Sequence, residues 1–280
     1  MIPVTLPRFW LSLLLGILTL ALTGCWPILT PNDATLTPGN WSVTATSSNP
    51  AIGTFHVGGN LAQSGSTLSG MMYVVGSLCF DDSRPISLTG TVNGQQVTFA
   101  STDINGQVFS VAAVATTNSV LDGTYTITGG CGSGDSGTAA ASAVPSISGT
   151  WGGSLVGSGG SNVALNINLV QSAIASADGS FALTGDLGYA GSSCSDSGTI
   201  TSAFIAGSYI LLNADTVEAD SSVGNVTYNN VLLDDSQNPM NMLGTYEVAF
   251  GLCANDMQAL TLSKVVKSVH YFNSRANNAS

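Results

Sequence analysis

The side chains able to do acid, base or nucleophilic chemistry are few and scattered along this chain. There are two histidines, His56 and His270, which occupy different places relative to the surrounding sequence. A Ser-His-Asp site is defined by geometry rather than order. The nucleophile elbow Gly-x-Ser-x-Gly is missing, since Gly153-Ser154 and Gly157-Ser158 lack its strand-turn-helix setting. The run Gly157-Ser158-Gly159-Gly160 reads as a hairpin loop, because no Gly-Lys-Ser/Thr step follows it to cradle a phosphate. Acid doublets stand at Asp81-Asp82 and Asp234-Asp235. Neighbours on a strand point to opposite faces, so neither doublet forms a ready acid/base pair. Asp215, Glu218 and Asp220 could hold calcium on a loop, but they lack the EF-hand spacing and its glycine and read as a solvated turn. These residues predict no enzyme and no cofactor.

Cysteine carries more information. Five are present: Cys25, Cys79, Cys131, Cys194 and Cys253. No Cys-x-x-Cys occurs and both histidines lie far away in sequence, so a zinc site is not expected. Cys25 stands apart from the other four. Residues 1–8 are a short leader with one positive charge, Arg8, and residues 9–22 form an apolar core. That core is too short for a membrane span of about 20 residues and has the length of a signal-peptide centre. It ends Leu22-Thr23-Gly24-Cys25, which resembles the lipobox of bacterial lipoproteins. The resemblance implies cleavage after Gly24, acylation of Cys25 and an anchor of three acyl chains. Because Trp26 and not Asp follows the cysteine, it also implies the outer membrane, on its periplasmic face or at the cell surface. Residues 25–38 hold Pro27, Pro31 and Pro38 and predict a stiff stalk that reaches up to roughly 40 Å at about 3.1 Å per residue.

The elements that would position any site come from a repeat. Gly39-Asn40-Trp41 and Gly149-Thr150-Trp151 lie 110 residues apart. After each follow Leu-x-Gln (Leu61 to Gln63, Leu169 to Gln171), Leu-x-Gly (from Leu68, from Leu183), a cysteine 11 residues on (Cys79, Cys194) and Gly-Thr (Gly90, Gly198). A Gly-Thr-Tyr ending in Tyr125 or Tyr246 comes next, and then a last cysteine, Cys131 or Cys253. Four cysteines allow three pairings. With one early and one late cysteine per copy, the duplication makes Cys79–Cys131 and Cys194–Cys253 the natural pairs, in an exported and oxidising compartment.

Within each copy apolar and polar residues alternate, as in Trp41, Val43 and Ala45 against Ser42, Thr44 and Thr46, the period of a half-buried antiparallel strand. Turns are expected at Asn93-Gly94, Asn105-Gly106 and Asp122-Gly123 or nearby residues, and at Asp178-Gly179 in the second copy. The fold class predicted is all-β: two tandem antiparallel domains of about eight strands, each a barrel or a sandwich, over residues 39–145 and 146–272, with a polar tail at 273–280.

The two Gly-x-Trp steps resemble the first strand of the calycins, the lipocalin and avidin group. That resemblance implies an eight-stranded barrel plugged at one end by Trp, with a basic residue of the last strand over it. Lys264 or Lys267 could serve in the second copy, whereas the end of the first copy, residues 136–144, has no basic residue. Trp41, Trp151, Tyr125 and Tyr246 are the candidate ligand contacts; packing is the competing role for all four.

Charge narrows the partners. Charged residues make up 8% of the chain against roughly 25% in ordinary domains. With Arg8 removed, 4 basic residues face 16 acidic ones, a balance of −12. Such a surface repels phosphate backbones, which argues against nucleic-acid binding. The function predicted is a lipid-anchored, non-enzymatic envelope module with a binding or structural role toward a small ligand or an envelope protein. The alternatives are a small-ligand carrier with calycin-like barrels and an envelope hydrolase. An open lumen would favour the carrier; a packed interior would not.

Overall fold

A computed structural model describes residues 33–156 and 162–265; Cys25, the signal segment, Lys267 and His270 lie outside them. The described residues form strands throughout: β1 (Gly39–Ser47), β2 (Thr54–Ser64), β3 (Thr67–Val75), β4 (Ile86–Asn93), β5 (Gln96–Ser101), β6 (Gln107–Thr117), β7 (Val120–Gly129) and β8 (Ser136–Ala143), then β9 (Gly149–Val156), β10 (Asn162–Gln171), β11 (Phe181–Ala190), β12 (Ser195–Ala206), β13 (Tyr209–Glu218), β14 (Val223–Asp234), β15 (Asn241–Phe250) and β16 (Met257–Lys264). Each copy is a closed barrel in which every strand runs antiparallel to the next. The first closes by pairing Trp41 with Ala143, the second by pairing Trp151 with Lys264. The choice between barrel and sandwich therefore falls to the barrel, in both copies.

Period two sets which way each side chain faces. In β10, Val163, Leu165, Ile167 and Leu169 are buried inside, while Asn162, Ala164, Asn166 and Asn168 face out. This is the reverse of a membrane barrel, whose apolar residues face lipid. Each barrel buries its own core: Phe55, Leu68, Met72, Leu88, Phe109 and Leu121 fill the first, and Leu165, Ile205, Ile210, Leu212, Tyr228 and Leu260 the second.

Asn105 (φ 54°) and Gly106 (φ 82°) take the two left-handed positions of a two-residue turn closed by the Ile104–Gln107 bridge, as expected of Asn-Gly. Asp122-Gly123 does not turn. It lies inside β7, and the hairpin is made by Asn118-Ser119. Gly123 is needed for another reason: a Cβ there would sit 2.2 Å from the Ala112 carbonyl oxygen. The stalk also ends earlier than predicted. Asp33–Pro38 lie across the end of the first barrel. The Ala34 N–H donates to the Gly94 carbonyl, the Thr37 N–H donates to the Asn118 carbonyl, and Leu36 is buried in the core. Hairpin carbonyls and one apolar side chain hold the segment despite its proline neighbour.

The second barrel rests its hairpin end on the flank of the first. Asn40 Nδ2 donates to the Gly207 carbonyl at 3.0 Å while its Oδ1 accepts the Gly207 N–H at 2.6 Å. A Cβ on Gly58 would lie 2.5 Å from Gly207 Cα, so this close approach requires glycine. Tyr73 stacks on Phe204 and donates to Asp178 Oδ2 at 2.9 Å. Between the barrels, the Val144 N–H donates to the Asn40 carbonyl while the Val144 side chain packs in the second core, leaving little slack.

Candidate binding surfaces

The two ends of each barrel differ. At one end the first barrel is joined by two-residue turns, 65–66, 94–95 and 118–119. There Trp41, 1% exposed, donates from Nε1 to the Thr37 carbonyl at 2.7 Å, beneath buried Leu36. In the second barrel Trp151 donates to the Ile147 carbonyl at 2.8 Å, with buried Ile147 in the matching place. Lys264 Nζ lies 5.8 Å from the Trp151 ring centroid and donates to the Ser146 carbonyl at 3.0 Å. Burial lowers its pKa. The first barrel has Ala143 at that register. Both indoles are plugs, enclosed on every side.

The tyrosines are anchors of the opposite end. Tyr125 donates to Asp135 Oδ2 at 2.8 Å, and Ser47 holds the other oxygen at 2.6 Å. Tyr246 donates to Asp256 Oδ2 at 2.8 Å, with Gln258 on Oδ1. Burial, then the neighbouring carboxylate, pushes Tyr125 up to about 12 and raises Tyr246 further. The sequence reading missed Asp135 and Asp256. Their signal was the repeat itself, an aspartate ten residues after each tyrosine and just beyond the last cysteine.

Above the core the copies diverge. The first stacks Phe55 edge-on to Phe109 and Tyr125. The second replaces this with a polar layer in which the Tyr189 and Tyr228 hydroxyls are 3.1 Å apart. Burial pushes Tyr189 up to about 12 and Tyr228 well above its ordinary value. Beside them Glu218 is buried and accepts from Ser195, Thr216 and the Leu252 N–H. The three acids weighed as a calcium loop do not converge. Glu218 points into the barrel, Asp215 faces out to accept from Asn225, and Asp220 caps the Ser222 N–H. The cavity left in this layer is about 30 Å³, lined by Tyr189, Tyr246, Asp256 and the disulfide. That is room for a water or two, at roughly 10–15 Å³ each.

Cys79–Cys131 and Cys194–Cys253 are both formed, with Cα atoms 5.5 and 5.8 Å apart. Each joins the loop after the third strand of its barrel to the loop after the seventh, which places it across the mouth between opposite rims. In the first barrel the mouth loops are long: residues 48–53, 76–85, 102–106 and 130–135. The loops 48–53, 76–85 and 130–135 frame a depression of about 400 Å³ lined by both cysteines of the disulfide, with Ser48, Asn49, Ser133 and Asp135 beside Ile52 and Leu78. Leu78 is 85% exposed and stands beside Ile52 on the rim of this depression.

The remaining chemistry-bearing residues stay apart. Asp81 pairs with Arg84 at 3.5 Å on an exposed loop. Thr44 Oγ1 lies 3.4 Å from His56 Nδ1, and burial lowers the pKa of that histidine. No serine–histidine–carboxylate chain is assembled among the described residues.

No protein-family model matches the chain, and no curated protein matches it. Among solved structures, the crystal structure of the agglutinin BOA from Burkholderia oklahomensis is similar over 81% of this chain and 95% of that one, at 14% identity and a TM-score of 0.22. A likeness that low carries no argument about function.

Proposed function

We propose that the protein is a lipid-anchored, non-enzymatic binding module of the bacterial envelope, and that it meets its partner at the disulfide-strapped mouths. The observation that carries this reading is the filled interior. Small-molecule sites usually span about 300–1,000 Å³, whereas the cavity beside Tyr189 and Tyr246 in the second barrel is about 30 Å³ and the first barrel is packed with Phe, Met and Leu. The described residues of the two cores leave a lumen carrier little room for its cargo. The long mouth loops, the exposed Leu78 and Ile52 and the shallow depression between them provide a contact surface on a rigid scaffold. Asp33 sits at the plugged end, bonded through Oδ1 to the Gly94 N–H.

Two measurements test this reading. The mature protein should partition with membranes, and Cys25→Ser should leave an unlipidated precursor; normal processing of that variant would remove the anchor from the proposal. N-phenyl-1-naphthylamine should show no saturable binding. One probe bound per barrel with micromolar affinity would restore the carrier.

A further inference from the structure

The pairing of the barrels creates a cleft that neither barrel has alone. Past the contact of Gly58 with Gly207 the two surfaces part, and a cleft of about 330 Å³ opens between them. Its size lies at the lower edge of the range for small-molecule sites. The first barrel supplies one wall from the outer faces of β1 and β2, with Ser42, Thr44 and His56. The second supplies the other from the end of β14 and the start of β15, with Asp234, Asp235 and the half-exposed Leu243. Ser42 Oγ donates to Ser208 Oγ at 3.2 Å and ties the walls together.

Asp234 ends β14 and Asp235 opens the β14–β15 connection, residues 235–240, which is longer than its counterpart in the first barrel, 118–119. At the position matching His56 the second barrel has Ala164. The donor set thus belongs to neither copy alone. Asp234 accepts from the Ser236 N–H and hydroxyl, whereas the exposed Asp235 carboxyl is met by the Asp235 backbone N–H and by no cation of the described residues. Burial and the adjacent Asp234 raise its pKa. The cations of the described chain are engaged elsewhere, Arg84 with Asp81 and Lys264 over Trp151. His56 uses Nδ1 toward Thr44, and Nε2 has no partner among the described residues.

We propose that this inter-barrel cleft binds a small ligand carrying a protonated amine and several hydroxyls, the chemistry of an amino sugar. The ammonium sits at Asp235 and Asp234, where it makes a charge-assisted hydrogen bond to carboxylates that no cation of the described residues pairs. Ligand hydroxyls meet Thr44, Ser42 and the imidazole, and the C–H face lies on Leu243. The site is independent of whatever the mouths bind.

The test is proton NMR of the mature chain in detergent, following the His56 ring signals as D-glucosamine is added, with D-glucose and N-acetyl-D-glucosamine as probes lacking the ammonium. Assigning the signals with His56→Gln separates them from those of His270. Glucosamine should shift the His56 signals saturably. The other two sugars, and glucosamine with Asp235→Asn, should bind about tenfold more weakly or worse. Asp235 is exposed at a loop, so that variant should keep the circular dichroism of the parent. Equal binding of all three sugars would overturn the assignment of the amine, and a titration that leaves His56 unmoved would overturn the site.

Discussion

Trp41→Ala should unfold the first barrel early and leave the second alone. The indole is 1% exposed within the first core, and its Nε1 proton holds the Thr37 carbonyl at 2.7 Å. Truncating a buried Trp costs about 3–5 kcal/mol through lost burial and the cavity left behind. The orphaned carbonyl adds about 1 kcal/mol and loosens the segment that carries Leu36. A domain of this size holds about 5–15 kcal/mol in all, so the first barrel becomes marginal. At about 4–8 °C per kcal/mol its midpoint should fall by about 15 °C or more. The second barrel has a closed sheet and a core of its own, and the contact of the Trp41 residue with it is through backbone. Tryptophan fluorescence can separate the two. With Trp26→Phe in the background, Trp151 is the remaining indole of the mature Trp41→Ala chain and reports the second barrel, while calorimetry follows both. Two transitions should appear, with the Trp151 midpoint moved by less than about 0.5 kcal/mol. A single transition in which Trp151 falls together with the rest would refute the independence of the two cores.

Other perturbations address the remaining contacts. Replacing Cys79 and Cys131 by serine opens a closed loop with a sequence separation of 52 residues and should cost the first barrel about 4 kcal/mol in denaturant titration; unchanged stability would mean the strap holds nothing. Tyr125 and Tyr189 ionise near 12 in the fold but near 10 when unfolded, so their stabilisation is complete below pH 10 and disappears as pH rises through about 12. The melting temperature should drop over that window and drop less in Tyr125→Phe; an identical slope in the variant would count against the Tyr125–Asp135 pair. Gly58→Val drives a side chain into Gly207 and should push the barrels apart, which small-angle scattering would record as a longer maximum dimension with unchanged circular dichroism. Identical scattering from the variant would show that the seam is not closed in solution.

Much of this fold could be read along the chain, and the parts that could not share a cause. Strand alternation and the 110-residue repeat are local or periodic, so the strands of each copy and the pairing of cysteines within copies follow from them. Closure depends on Trp41 meeting Ala143, a contact across the whole copy, and a sandwich shows the same period two. Asp122-Gly123 has the composition of a turn, yet Gly123 answers to Ala112 on the neighbouring strand. Gly58 and Gly207 look like any other glycines in a chain with 33 of them; only the second barrel gives them their purpose. The candidate residues divided in the same way. The repeat singles out Trp41, Trp151, Tyr125 and Tyr246 as candidate ligand contacts, whereas the partners they meet in the fold are backbone carbonyls and two aspartates inside the barrels. His56 and Asp235 share no motif and share a cleft only because the barrels dock.

The most direct test of the central claim is site-specific photo-crosslinking in the intact envelope. A benzophenone amino acid in place of Leu78 stands at the first mouth, and the same group in place of Val170, 62% exposed on the flank of the second barrel, is the control. A module that meets its partner at the mouth should give a discrete adduct from position 78, none from 170, and no adduct from 78 once Cys25→Ser has removed the anchor. Adducts from position 170 alone, or the same products from both positions, would contradict it.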